Sequence, residues 1–140
     1  EFIATIKGVD YYNDSKATNV ESVKYALKSF TRPVIIIMGG RDKDSDFSTL
    51  LPYLSENVKE AVLIGEAAQK IENVIRGKIK YFHADSLSNA VDYAKTIAVA
   101  GDVILLAPAC ASFDMFDNYE HRGRVFKEIV QSIADKTDEN

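Results

Sequence analysis

The sequence has few cysteines and histidines, and it lacks the long apolar run of a membrane span. Its 140 residues include one cysteine and two histidines, and no apolar run approaches the roughly 20 residues that a membrane helix needs. A single cysteine forms no internal disulfide, and the first residues contain no secretory signal pattern. These absences exclude a disulfide-stabilised secreted domain and a membrane span, and they predict a cytoplasmic protein.

A basic excess is also missing. The chain has 17 Lys and Arg against 21 Asp and Glu, a formal net charge of -4, so it has no surplus cation with which to neutralise a nucleic-acid backbone. Nucleic acid is therefore not an expected partner. The length suits one domain. Because the strand-like pattern begins directly after Glu1, we expect a fragment cut from a longer protein at a domain boundary.

Short runs rich in β-branched and aromatic residues predict six strands. They lie at residues 2–6, 9–12, 34–38, 61–64, 79–82 and 103–107. Apolar residues recur at spacings of three and four between the later runs, which predicts helices. These helices cover residues 20–30, 47–54, 67–75, 87–97 and 125–133. The polar tail 135–140 is expected to be disordered.

The order of these elements predicts a Rossmann-like α/β fold. The runs 34–38 and 103–107 are continuously apolar, as strands covered by helices on both faces are, and alternating strands and helices favour a doubly wound, mostly parallel sheet. Only Lys7 and Gly8 separate the first two strands, which suits an antiparallel hairpin. We therefore expect one antiparallel edge strand and helices on both faces.

Three loops that follow predicted strands are rich in polar groups. They cover residues 13–19, 39–44 and 107–123. Ligands of open parallel sheets lie beyond the carboxyl ends of the strands. We therefore expect Asp14, Lys43 and Ser112 to lie at one edge of the sheet and to form one composite site.

Simpler interpretations exist for parts of these loops. Thr18 and Glu21 have the spacing of a helix capping box, and Lys43 could be a solvated lysine in a glycine turn. Cys110 has no adjacent base that would make it a nucleophile. Arg122 and Glu120 could form an exposed ion pair. The chain contains neither a P-loop nor a G-x-G-x-x-G motif, and no histidine has a metal-ligand partner at suitable spacing.

Taken together, the motifs resemble the C-terminal domain of the Mur ligases. The resemblance covers essentially the whole chain and is carried by NDSKATN at 13–19, GGRDK at 39–43, PACASFD at 108–114 and NYEHRGRVF at 118–126. It implies that residues 1–140 form one domain of a three-domain enzyme, whose N-terminal domain holds a UDP-sugar and whose central P-loop domain holds ATP and Mg²⁺. The DSKATN run is most similar to the members that add D-glutamate to UDP-N-acetylmuramoyl-L-alanine through an acyl phosphate.

The resemblance also implies roles for individual residues. Thr18 and Lys43 would hold one carboxylate of D-glutamate, and Ser112, with main-chain groups of Phe113 and Tyr119, would hold the other. This set suits a dianionic amino acid, which needs a cation together with hydroxyl and amide donors.

Two further residues would contact ATP. Asp14 and Lys16 would meet its ribose and phosphates, with Lys16 acting as the catalytic cation. Most ATP and Mg²⁺ contacts, and the UDP-sugar site, would belong to the absent domains, so the isolated domain is expected to be an inactive monomer.

Three alternatives remain open at this stage. A stand-alone module that binds an acidic metabolite would use the same crevice without ATP. A dehydrogenase-like nucleotide domain would share the fold, although the missing glycine motif argues against it. The chain could also come from another Mur-type or a folylpolyglutamate-type ligase.

Overall fold

The computed structural model describes residues 1–138. Over these residues the chain forms six strands, β1 (Phe2–Ile6), β2 (Val9–Asn13), β3 (Val34–Gly39), β4 (Val58–Ile64), β5 (Tyr81–His83) and β6 (Val103–Leu106). It also forms five α-helices, α1 (Val20–Leu27), α2 (Leu51–Asn57), α3 (Ala68–Ile75), α4 (Leu87–Ile97) and α5 (Tyr119–Asp138). A short 3₁₀ turn, Phe47–Leu50, precedes α2.

The strands form one sheet in the order β1-β2-β6-β3-β4-β5. Strands β2 to β6 pair in parallel, and β1 pairs antiparallel with β2 at the edge. The hairpin turn places Lys7 at φ 51° and Gly8 at φ 80°, the left-handed pair that a two-residue turn between twisted strands requires. The predicted fold class is confirmed, including its antiparallel edge strand.

Helices cover both faces of the sheet and give it two apolar cores. Ile36 and Met38 of β3 face the core that contains residues of α1, α2 and α3. Ile35 and Ile37 of the same strand face the core that contains residues of α4 and α5. Every residue of β3 is buried because each face of the strand meets a helical layer.

Some boundaries differ from the sequence expectation. The predicted helix 47–54 is divided into the 3₁₀ turn and α2, with Pro52 in the first turn of α2, where its missing N–H costs nothing. Helix α5 begins at Tyr119, well before its apolar pattern, because Asn118 Oδ1 accepts a hydrogen bond from His121 N at 2.7 Å and caps the helix.

The tail expectation is wrong for its first part. Helix α5 continues through Asp138, and the rest of the predicted disordered tail lies outside the described residues. Within residues 1–138, no helix is both long enough and apolar enough to span a lipid bilayer.

Candidate functional site

The three polar loops meet where the parallel strands have their carboxyl ends. Strands β2, β6 and β3 are adjacent and parallel, so the loops that leave their carboxyl ends emerge side by side. The prediction that Asp14, Lys43 and Ser112 share this edge is confirmed.

Main-chain hydrogen bonds tie the loops together. Arg41 and Ala111 exchange a pair of bonds, at 2.9 Å from Arg41 N and 3.0 Å from Ala111 N, which joins the β3 loop to the β6 loop. Ala109 N donates to Ala17 O at 2.9 Å, which joins the β6 loop to the β2 loop. The site is therefore built on backbone contacts between all three loops.

Two consecutive glycines let the chain after β3 approach neighbouring backbone closely, Gly39 at Ile64 of β4 and Gly40 at Ala111 of the β6 loop. Gly39 has φ 127° and Gly40 has φ 136°, values that side chains rarely adopt. A Cβ on Gly39 would lie 1.9 Å from Ile64 O, and one on Gly40 would lie 2.3 Å from Ala111 O. Neither position has room for any side chain.

A cleft of about 260 Å³ lies between these loops. Its lining brings together Thr18, Asn19, Arg41, Lys43, Ser45, Ala109, Cys110 and Ala111. Lys43 is exposed, and among residues 1–138 no carboxylate lies within ion-pair distance of its ammonium. The cleft thus contains a cation without a protein counter-ion.

The neighbouring carboxylate of Asp42 is directed away from Lys43. It accepts hydrogen bonds from Lys70 Nζ and from Ser45 N. Burial alone would raise the pKa of Asp42, but these two hydrogen bonds outweigh burial and lower it. Asp42 therefore remains ionised, with Lys70 as its partner.

The capping-box interpretation of Thr18 and Glu21 is wrong. Asn19 caps α1, because its side-chain oxygen accepts a hydrogen bond from Ser22 N at 2.8 Å. Glu21 pairs instead with Lys24 at 3.0 Å. The Thr18 hydroxyl has no hydrogen-bond partner in the described part of the chain, so it is available to a ligand in the cleft.

Ser112 follows the cleft-lining Ala111 and is only 2% exposed. Its hydroxyl has no hydrogen-bond partner within residues 1–138, and the same is true of the buried Oδ1 of Asp114. Buried polar atoms without partners cost free energy, and they concentrate at functional sites. Phe113, between them, has an exposed side chain.

A second cleft, of about 450 Å³, holds the predicted nucleotide residues. Asp14 and Lys16 line it together. Lys16 also lines a third cleft, of about 380 Å³, together with Tyr119. The structure therefore brings Asp14 close to Lys16 and Thr18 close to Lys43, and it places Tyr119 beside Lys16 and not in the cleft of Lys43.

Arg122 is buried, in contrast to the exposed position that the ion-pair interpretation gives it. It is 1% exposed and not part of a surface ion pair with Glu120. Its guanidinium donates to Ser15 and to Cys110 O, and burial lowers the pKa of Arg122 to about 10. Helical spacing offered a signal, because Arg122 is four residues before the buried Phe126 and shares its face.

The environments of Cys110 and His83 indicate structural roles for both residues. Burial raises the pKa of the Cys110 thiol to about 12, which opposes thiolate formation. His83 Nε2 contacts the Glu72 carboxylate. Within residues 1–138 no three His, Cys, Asp or Glu side chains form a group that could hold a metal ion.

A cavity of about 480 Å³, larger than these three clefts, is elsewhere. It lies at the opposite edge of the sheet, near Lys7 and Val9, and the ends of α4 and α5 complete it. None of the predicted site residues lines it.

Comparisons with known proteins agree with the motifs. Residues 1–110 match the family described as Mur ligase, glutamate ligase domain. The UDP-N-acetylmuramoylalanine--D-glutamate ligase of Koribacter versatilis is 54% identical over 136 residues, which cover 97% of this chain and 30% of that protein. The chain thus spans about a third of the length of the curated relatives it matches.

Solved structures share the fold at low sequence identity. A murein peptide ligase from Psychrobacter arcticus has a TM-score of 0.63 at 13% identity, covering 98% of this chain and 29% of that one. A bifunctional folylpolyglutamate synthase/dihydrofolate synthase from Yersinia pestis has a TM-score of 0.54 at 17% identity, covering 80% of this chain and 27% of that one. These structures show the shared fold, whereas the family match over residues 1–110 and the 54% identical relative show that the chain belongs to the Mur ligase family and carries its glutamate ligase domain.

Proposed function

We propose that this chain is the C-terminal domain of a cytoplasmic ligase that joins D-glutamate to UDP-N-acetylmuramoyl-L-alanine with ATP. The name of the 54% identical relative supports this substrate. The observation that carries the proposal is the cleft in which Thr18 and Lys43, neither with a partner among residues 1–138, face the same space.

D-glutamate has two carboxylates, and the cleft offers complementary groups. Lys43 supplies the charge for one carboxylate and Thr18 supplies a hydroxyl donor. The unpartnered hydroxyl of Ser112, with main-chain groups of Phe113 and Tyr119, receives the other carboxylate. Tyr119 lines the third cleft together with Lys16, and Ser112 directly follows Ala111, which lines the cleft of Lys43.

Asp14 and Lys16 contact ATP in this proposal. The Asp14 carboxylate accepts hydrogen bonds from ribose hydroxyls, and the Lys16 ammonium offsets phosphate charge. Mg²⁺ and the phosphate-binding loop belong to the domain that this chain lacks. When bound there, Mg²⁺ neutralises the phosphate charge that develops during phosphoryl transfer.

The reaction is amide formation. ATP transfers its γ-phosphoryl group to the substrate carboxylate, which gives an acyl phosphate and ADP. The neutral amine of D-glutamate attacks the acyl carbon, and loss of a proton and of phosphate leaves the amide. The contribution of this chain is to orient the amine, which lowers the entropic part of the barrier. The isolated chain should therefore have no ligase activity, and we expect it to be a monomer. It should bind D-glutamate only in the roughly millimolar range, since one side of the ligand remains in water.

Kinetics of the longer ligase test the proposal. Lys43→Ala should raise KM for D-glutamate about ten- to a hundredfold, the value of a charge-assisted contact, with little change in KM for ATP. Lys78→Ala is a matched control. Lys78 is also exposed, but it lies before β5, where the parallel strands have their amino ends. A rise in KM for ATP alone would show that the Lys43 loop serves the nucleotide.

A further inference from the structure

The cleft that contains Asp14 and Lys16 also contains an aromatic ring that the proposed chemistry leaves unused. Tyr25 lines this cleft and is 79% exposed, the most exposed large hydrophobic side chain within residues 1–138. Its ring makes no aromatic or cation contact in the described part of the chain. The ring therefore contributes little to the core.

The position of Tyr25 on α1 explains why its ring reaches the cleft. Tyr25 is four residues after Glu21 on this helix, and residues at that spacing lie on one face, with side chains directed toward the helix N-terminus. Glu21 and Ser22 line the same cleft. The ring therefore lies on the side of α1 from which the loop that carries Asp14 and Lys16 enters the helix.

We propose that Tyr25 stacks against the adenine base of ATP. This inference rests on the proposed function, which assigns ribose to Asp14 and phosphate to Lys16. A nucleotide has three chemically different parts, and the cleft provides a group suited to each: an ammonium for phosphate, a carboxylate for ribose hydroxyls and an aromatic face for the base. The cleft volume of about 450 Å³ leaves space for a base beside the sugar.

Stacking makes a specific prediction about which substitutions matter. Phenylalanine keeps the ring, whereas leucine keeps apolar bulk without an aromatic face. In the longer ligase, Tyr25→Leu should raise KM for ATP about five- to tenfold, within the range measured for base stacking on aromatic side chains. Tyr25→Phe should leave it unchanged, and neither substitution should alter KM for D-glutamate.

The chain itself offers a direct test because it has no tryptophan. Tyr25→Trp creates a single fluorescent reporter at the proposed base site. ATP should quench its emission, whereas inorganic tripolyphosphate, which has phosphates but no base, should not. Equal quenching by the two ligands would overturn the stacking inference.

Amide chemical shifts of the unaltered chain separate the two proposals. If ATP shifts the amides of Asp14 and Lys16 while the Tyr25 amide and ring stay unchanged, the nucleotide site stands and the stacking inference fails. If ATP shifts none of these signals, KM for ATP of the longer ligase decides: an unchanged value for Lys16→Ala overturns the nucleotide site, and an unchanged value for Tyr25→Leu overturns the stacking inference. Shifts at all three residues, with Trp quenching specific to the nucleotide, would support both.

Discussion

The guanidinium of Arg122 donates two hydrogen bonds to Ser15, from Nε to the side-chain Oγ at 2.9 Å and from Nη2 to the main-chain oxygen at 2.7 Å. Nη1 donates to Cys110 O at 3.1 Å, and Ser15 Oγ donates in turn to Tyr119 O at 2.7 Å. One buried cation thus connects α5 to the loops after β2 and β6. These two loops carry residues that line the cleft of Lys43 and the cleft of Asp14 and Lys16.

Arg122→Ala should therefore lower the free energy of unfolding by about 2–4 kcal/mol. The substitution leaves the buried main-chain oxygens of Ser15 and Cys110 without these donors, and the relief of burying one charge offsets only part of that cost. Urea denaturation measures the effect. Arg124→Ala, an exposed change two residues later on the same helix, should cost less than about 0.5 kcal/mol. Equal losses would contradict the assigned role of Arg122.

Much of the fold could be predicted from the sequence, and the reasons are local. The continuous apolar run of β3 requires cover on both faces, and the Lys7-Gly8 turn fits only a hairpin. Parallel pairing then places Asp14, Lys43 and Ser112 at one edge. These predictions follow from periodicity and strand direction, which short stretches of sequence specify well.

Two predictions were wrong because local sequence does not specify a loop's backbone path or the contacts that residues make with distant parts of the chain. Thr18 and Asn19 are both good capping residues, and the backbone path into α1, where Asn19 has φ -143° and ψ 168°, decides between them. Arg122 is charged, and its burial requires main-chain acceptors from loops 12 and 107 residues away. No local pattern identifies such acceptors, so the sequence leaves an exposed ion pair between Arg122 and Glu120 open as an interpretation.

Gly39→Ala should destabilise the chain by at least about 3 kcal/mol. The added Cβ would lie 1.9 Å from Ile64 O, a backbone atom that cannot move without disturbing the pairing of β3 with β4. Gly77→Ala is the matched control, since Gly77 also has a positive φ, 79°, but has no atom within 4 Å of the new Cβ. It should cost only the conformational strain, about 1 kcal/mol. Denaturant titration of both variants separates steric clash from backbone strain.

Low pH should weaken the contact between Glu72 of α3 and His83 of β5. Hydrogen bonds from Arg76 first, and then from His83, lower the pKa of Glu72 from about 4.5 to about 2. Because the pKa of Glu72 is lower in the folded state, its carboxylate stabilises the fold at pH values above its unfolded-state pKa. This stabilisation is lost as the pH falls from 4.5 through 2. Glu72→Gln should flatten the dependence of unfolding free energy on pH in that window, whereas Glu56→Gln, an exposed change on α2, should not.

Ser112→Ala should separate stability from substrate binding. The Ser112 hydroxyl is buried without a partner in the described chain, so its removal should leave the free energy of unfolding unchanged or slightly raise it, because no hydrogen bond is lost and an unsatisfied group disappears. In the longer ligase the same change should raise KM for D-glutamate about three- to tenfold, since the hydroxyl donates to a carboxylate only when the ligand is bound.

Ser86→Ala provides the reciprocal control for that prediction. Ser86 caps α4 by accepting a hydrogen bond from Asn89 N at 3.0 Å, so its loss should cost about 1 kcal/mol of stability. It follows β5, which β4 separates from β3 in the sheet, and it lines none of the three clefts at the site, so it should not change KM for D-glutamate. Thermal unfolding and steady-state kinetics of the two variants give opposite patterns if the unpaired hydroxyl is kept for ligand binding. A Ser112→Ala variant that loses stability and keeps its KM would instead assign the serine a purely structural role.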